Sequence, residues 1–266
     1  MAIKHFLLSI LLLIVCSAYG QRIAIMGAMD EEIDLLKMKL VNGNEIHENG
    51  ITFYTGKLKN KNVVLFKAGI GKVNAAYSTA ILTAKFDIDA LIFTGVAGGL
   101  HPNIHPGDIV IADYLVQYDF GELKNGEFQT WASRNLIDNS KNSLLLPVDS
   151  ILLEQSKLVT KSIKLKPFNG RIPQFYTGTI ATADTFVSDA AKAEYLYTNF
   201  NAMATEMEGA AVAQICTMLE LPYVIIRSCS DNANTLAHTD YYKFVEIASV
   251  NSAQMVLGLL EKVIQE

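Results

Sequence analysis

Ala90-Leu-Ile-Phe-Thr-Gly-Val-Ala-Gly-Gly99 is the stretch on which the reading of the fold turns. Residues 90–94 form an uncharged, mostly apolar run, short and without polar alternation, as expected of a strand covered on both faces. Gly95, Gly98 and Gly99 then strip side chains from its carboxyl end, which lets a ligand approach the backbone. Taken alone, that end reads equally as a nucleotide loop or a tight turn, and its spacing is not G-x-G-x-x-G.

On both sides of this run, similar strands alternate with helical periodicities. Upstream, residues 22–26 read as a strand and 30–40 as a helix with Ile33, Leu36 and Leu40 on one face. Residues 51–58 and 63–68 read as a hairpin around Lys59-Asn60-Lys61, and 72–85 as a helix. Downstream, strands are expected at 108–116, 175–182, 202–207 and 223–227. Helices are expected at 151–163, 190–197, 209–219 and 244–264. Residues 119–148 lack periodicity and read as a long surface excursion carrying the single tryptophan, Trp131. The alternation implies one α/β domain over residues 21–266, with three αβα layers around a twisted, mostly parallel (mixed) sheet. In such folds ligands bind beyond the carboxyl ends of the strands.

Composition narrows the classes. Of 266 residues, 50% are hydrophobic and 18% charged, with 17 Gly and 6 Pro, which excludes a disordered, collagen-like or linker chain. A net charge of −5 supplies no basic field, so no nucleic-acid partner is expected. At the N-terminus, Lys4, the apolar run from Phe6 to Val15 and Ala18-Tyr19-Gly20 have the layout of a secretory signal cut before Gln21. Residues 1–20 are therefore expected to direct export to a periplasm or cell surface. An uncleaved anchor is the alternative, although the run is shorter than the ~20 residues that span a bilayer. Lipidation at Cys16 is another, although bulky Val15 precedes it. Cys216 and Cys229 stand in apolar segments outside any metal or CxxC spacing, so two buried thiols or one bridge both fit.

The other strand ends carry acid. In Gly27-Ala-Met-Asp-Glu-Glu32, three carboxylates open a helix, where they complement its dipole or, at Glu32, face a ligand. In Ala204-Thr-Glu-Met-Glu-Gly209, Glu206 and Glu208 stand at i and i+2, on one side of an extended chain. Desolvating such a pair is costly unless a ligand or partner uses it. Val224-Ile-Ile-Arg-Ser-Cys-Ser-Asp231 runs an apolar strand into Arg227, Ser230 and Asp231, which form either a site or a structural ion pair.

Together with Gly69-Ile-Gly-Lys-Val73 and Gly107-Asp-Ile-Val110, these motifs resemble those of the 5′-methylthioadenosine/S-adenosylhomocysteine nucleosidases, in the same order along the chain. That family lies within the purine nucleoside phosphorylase-like superfamily, and the resemblance runs from about Arg22 to the C-terminus. It implies hydrolysis of the N-glycosidic bond of methylthioadenosine, adenosylhomocysteine and 5′-deoxyadenosine, with adenine and a 5-thioribose released from the thionucleosides. It further implies no metal or organic cofactor, and a homodimer. By the same resemblance, Asp231 is the acid that protonates adenine N7, Glu32 the base that activates water, and Arg227 a group that positions that water or its base. Glu208 would bind the ribose hydroxyls, Met207 would pack under the ribose, Phe186 would stack on adenine, and the Val187 backbone would read the purine edge. Ile70 and Tyr241 would line the 5′-alkylthio pocket, and Met29, Ala97, Gly98, Glu206 and Ser230 would complete the substrate site. Core packing for Phe186 and an ordinary helical place for Tyr241 are the alternatives. The chemistry is coherent, because breaking C1′–N9 needs a proton at the leaving base and a water at the opposite face, which two carboxyls of different pKa supply.

The sequence departs from the family at Val96, where relatives often carry Ser, in residues 119–148 and in the export signal. Two rivals stand beside the hydrolase. A nucleoside phosphorylase on the same fold needs cations or free N–H groups for phosphate, whereas the first strand end offers Asp30, Glu31 and Glu32. An exported surface protein could instead bind polyanions through Lys57, Lys59 and Lys61, or Lys161, Lys164 and Lys166.

Overall fold

The structure, a computed structural model, describes residues 22–262, and the export-signal and Cys16 readings lie outside them. In chain order its first half comprises β1 (Arg22–Gly27), α1 (Asp30–Met38), β2 (Val41–Glu48), β3 (Ile51–Leu58), β4 (Lys61–Lys67), α2 (Lys72–Lys85), β5 (Ala90–Gly99) and β6 (Ile109–Gln117). Then follow β7 (Gly121–Lys124), β8 (Glu127–Thr130), β9 (Leu146–Pro147), α3 (Ser150–Thr160), β10 (Phe175–Thr182), α4 (Ala190–Phe200), β11 (Ala202–Glu206), α5 (Gly209–Met218), β12 (Tyr223–Asp231) and α6 (Ala237–Lys262).

Along the central strands, side chains alternate between two of the three hydrophobic cores. On β1, Ala24 and Met26 face one core while Ile23 and Ile25 face the other. Leu91 and Phe93 on β5, and Tyr223 and Ile225 on β12, join the first; Ile92, Val224 and Ile226 join the second. This period of two, apolar in both phases, is why these strands read as uninterrupted hydrophobic runs. Residues of α2 and α5 cover one face and residues of α1, α3 and α6 the other, which gives the three layers expected.

The main sheet runs β11-β10-β6-β12-β5-β1-β4-β3-β2. Pairings of β1 with β4 and β5, of β12 with β5, and of β10 with β6 and β11 are parallel. Those of β12 with β6, β2 with β3 and β3 with β4 are antiparallel, so the sheet is mixed. One feature has no counterpart in a simple layered sandwich. Ala204 and Thr205 of β11 pair antiparallel with Gly99 and Gly98 of β5, closing β11, β10, β6, β12 and β5 into a ring. Gly98 therefore lies between Thr205 on one side and Asp231 on the other.

Several expected boundaries shift. β2 is additional: an exposed edge strand of sequence VNGNEIHE has no hydrophobic periodicity to betray it. Residues 119–148 are not structureless, because β7 and β8 form a hairpin turning at Asn125-Gly126, both at positive φ. β5 and β12 continue past their apolar runs to Gly99 and Asp231, and α6 starts at Ala237 rather than at 244. Cys216 and Cys229 are buried free thiols, which decides against a bridge. Among the described residues no helix is long and apolar enough to cross a membrane.

Candidate active site

Ring closure brings the ends of β1, β5, β11 and β12 around one cavity of about 320 Å³. Glu32, Glu208 and Asp231, far apart in sequence, all line it.

Glu32 sits in the first turn of α1 and is 3% exposed. Its Oε2 accepts the N–H groups of Ala28 (2.5 Å) and Met29 (3.0 Å), and its Oε1 accepts that of Val96 (2.9 Å). Burial raises its pKa above the usual carboxyl range, against the opposing pull of the Arg227 charge and those three N–H groups. Position 96 thus contributes a backbone donor, whatever its side chain. Gly95 is required beside it, since a Cβ there would lie 2.5 Å from Glu32 Oε1 and 3.0 Å from Arg227 Nη1. Asp30 and Glu31 stay outside the cavity lining, and Asp30 pairs with Lys67 at 2.7 Å.

Glu206 and Glu208 do not share one role. β11 ends at Glu206, and Glu208 leaves extended geometry to become the residue before α5 (φ −136°, ψ −38°). Glu206 turns into a polar network: its Oε1 accepts the Thr182 hydroxyl, and its Oε2 accepts the N–H groups of Glu208 (3.1 Å) and Gly209 (2.7 Å) and Arg227 Nη2 (2.7 Å). It therefore serves the start of α5 that Glu208 leaves uncapped. Glu208 Oε1 instead accepts the Gly71 N–H at 2.8 Å. Burial, reinforced by the neighbouring Glu206 charge, pushes the Glu208 pKa up.

Asp231 Oδ1 accepts the Ala233 N–H (2.7 Å) and Oδ2 accepts the Ser230 hydroxyl (2.8 Å). Burial outweighs both bonds and raises its pKa to about 6. Arg227 does not line the cavity. It is 1% exposed behind the wall, with its guanidinium 3.9 Å from the Phe93 ring centroid. The ion pair it forms is with Glu206, not Asp231.

The remaining expected residues, Met29, Ile70, Ala97, Gly98, Phe186, Val187, Met207, Ser230 and Tyr241, all border the cavity, as does Glu206. Phe186 is 39% exposed at its mouth, so it is not a core residue. It packs at 5.0 Å against His238 and edge-on at 5.8 Å against Tyr241, whose hydroxyl lies 3.0 Å from Met29 Sδ. Ala28, Thr185, Thr205, His238 and Tyr242 also line the cavity and escaped the sequence reading. His238, Tyr241 and Tyr242 fall at i, i+3 and i+4, a helix-face spacing that marks the earlier start of α6. Among the described residues no group of three or more His, Cys, Asp or Glu is arranged to hold a metal ion.

A family model described as the phosphorylase superfamily matches residues 22–261. The chain is 39% identical over 249 residues to the 5′-methylthioadenosine/S-adenosylhomocysteine nucleosidase of Halalkalibacterium halodurans, covering 90% of this chain and 97% of that one. The chain belongs to this nucleosidase family. Its architecture matches that of the Neisseria meningitidis nucleosidase in complex with methylthio-immucillin-A (TM-score 0.79, 33% identity, 91% of this chain and all of that one). A futalosine hydrolase of Helicobacter pylori is as close in shape (TM-score 0.79, 30% identity, 93% of this chain). The same architecture is thus shared by a hydrolase named for a different compound.

Proposed function

We propose that the protein hydrolyses the N-glycosidic bond of 5′-methylthioadenosine and S-adenosylhomocysteine, and also cleaves 5′-deoxyadenosine. The observation that carries this reading is the convergence of Glu32, Glu208 and Asp231 on one cavity whose lining includes neither Lys nor Arg. As the ribosyl–adenine bond stretches, the ring acquires cationic character and the base acquires negative charge. Asp231, protonated up to about pH 6, delivers its proton to adenine N7. Glu208 accepts the ribose hydroxyls, and the oxocarbenium-like ring in turn favours its ionised form over the neutral one that burial promotes. Glu32 takes a proton from water attacking C1′, a step worth ~10²–10⁴ in rate. Arg227 holds Glu206 in place and exerts its charge on Glu32 from behind the wall. Phe186, Met29, Ile70 and Tyr241 supply apolar surface for the purine and the alkylthio group.

Phosphorolysis fits the same cavity poorly. A phosphate dianion would face buried carboxyls, and the N–H groups of Val96 and Gly71 are already taken by Glu32 and Glu208. The test is to incubate the purified protein with methylthioadenosine, with and without phosphate, and follow free adenine. Release independent of phosphate is expected; a strict phosphate requirement would overturn the hydrolase reading.

Three companion proposals carry their own tests. Residues 1–20 direct export, and N-terminal sequencing of the exported protein should begin at Gln21. The protein is a homodimer, which sedimentation should report as twice the chain mass. Polyanion binding is the weaker companion: Lys59, central to one lysine cluster, is paired with Glu261 at 2.5 Å, and retention on a sulfated-polysaccharide column measures it.

A further inference from the structure

Glu208 is held in place by contacts that the proposed chemistry does not use. Gly71, just before α2, donates its N–H to Glu208 Oε1 at 2.8 Å. Its φ of +95° is a conformation glycine adopts readily, and a Cβ there would lie 3.1 Å from Asp184 Oδ1. The next N–H along, that of Lys72, is taken by Asp184 Oδ1 at 2.8 Å. α2 has no side-chain cap from its own segment, so it begins on carboxylates supplied by two distant loops.

The Lys72 ammonium, on a side chain 15% exposed, lies 2.6 Å from Asp119 and 4.0 Å from Asp184. The Asp184 N–H in turn donates to Asp119 Oδ2 at 3.1 Å. Asp119 follows β6, Asp184 follows β10, and Lys72 opens α2, so three loops are fastened at one point.

We propose that Asp184 is a positioning residue for Glu208. By holding the Lys72 N–H it fixes the Gly69–Gly71 turn, and the Gly71 N–H then anchors one Glu208 oxygen while the other remains free for the ribose diol. This rests on the nucleoside reading above and goes beyond it by assigning the selection of the diol to a residue outside the cavity lining. Without the anchor, Glu208 can rotate, and the loss should appear only with ligands that offer the two hydroxyls.

The experiment compares two ligands by calorimetry: the 7-deaza analogue of methylthioadenosine, which lacks the N7 lone pair that must be protonated, and its 2′,3′-dideoxy counterpart. Wild type should prefer the diol. Asp184→Ala should lose about tenfold or more in affinity for the diol ligand while staying near wild type for the dideoxy one. Asp184→Asn, which keeps an oxygen acceptor for the Lys72 N–H, should restore diol binding. Equal weakening of both ligands in Asp184→Ala, or no weakening at all, would overturn the proposal. If Asp184→Ala does not fold, Lys72→Met takes its place, since Asp119 and Asp184 then repel each other across the joint. The same diol-specific loss is expected, and equal loss again overturns the proposal. Wild type that fails to distinguish the two ligands would instead count against Glu208 as the ribose-binding group, and the positioning role would fall with it.

Discussion

Arg227 Nη2 meets Glu206 Oε2 at 2.7 Å with side chains 1% and 2% exposed, a buried ion pair in which Glu206 borders the cavity and Arg227 lies behind it. The pair joins β12 to the end of β11 and so sets the separation between Asp231 and Glu208. Removing one partner leaves a buried charge uncompensated. Arg227→Met is therefore expected to destabilise the fold by about 3–5 kcal/mol, read as a lowered denaturation midpoint. A midpoint within error of wild type would mean that the pair is dispensable.

Glu32→Gln should bind substrate and turn it over ~10²–10⁴-fold more slowly. The amide keeps one oxygen for part of the Ala28, Met29 and Val96 donor set, but it cannot take a proton from water. Single-turnover adenine release checks this, with inhibitor affinity as the control for binding.

Gly95→Ala tests placement rather than chemistry. The added methyl would sit 2.5 Å from Glu32 Oε1, so the carboxyl must move. A displacement on the order of 1 Å at a reacting group costs up to about 10²-fold. Turnover should fall while Glu32 and its pKa-setting burial remain present, and an unchanged kcat would show that the base tolerates displacement.

Asp231 gives two pH predictions. With its pKa raised from 3.8 to about 6, the acid form is lost above pH 6, and kcat/KM of the free enzyme should decline on that alkaline limb. For stability the sign runs the same way. A carboxyl whose folded pKa exceeds its unfolded value supports the fold fully below the unfolded pKa and loses that contribution as pH rises through the folded one. Asp231→Asn should therefore abolish turnover yet melt higher than wild type at pH 8, by an amount corresponding to about 2–3 kcal/mol. The gain should vanish below pH 4. A variant equally unstable at both pH values would contradict the burial argument.

Much of this was legible in the chain, for reasons that also explain what was not. The runs at Ala90 and Val224 are apolar in both phases of a strand because both faces of the sheet are covered, and that pattern needs no tertiary knowledge. The acids at 32, 208 and 231 were legible because each lies just past the end of an apolar strand run, where ligands bind in such folds. β2 was invisible because an exposed edge strand has no face to bury. The division of labour between Glu206 and Glu208 depends on Arg227 and Thr182, residues distant in sequence that only ring closure brings near. The start of α6 was missed because the hydrophobic stripe begins at Phe244, whereas the preceding turns face the cavity through His238 and Tyr241. Lys72 stands inside the Gly69–Val73 motif, but its pairing with Asp184 was not legible, since that pairing is a property of three loops meeting.

Convergence of the three carboxyls on one nucleoside is tested best by a crystal structure with the 7-deaza analogue of methylthioadenosine bound. Glu208 should lie within about 2.6–3.2 Å of the ribose hydroxyls, Asp231 beside position 7 of the base, and a water between C1′ and Glu32 on the opposite face. A nucleoside seated elsewhere, or one whose sugar and base turn away from those three carboxyls, would contradict it.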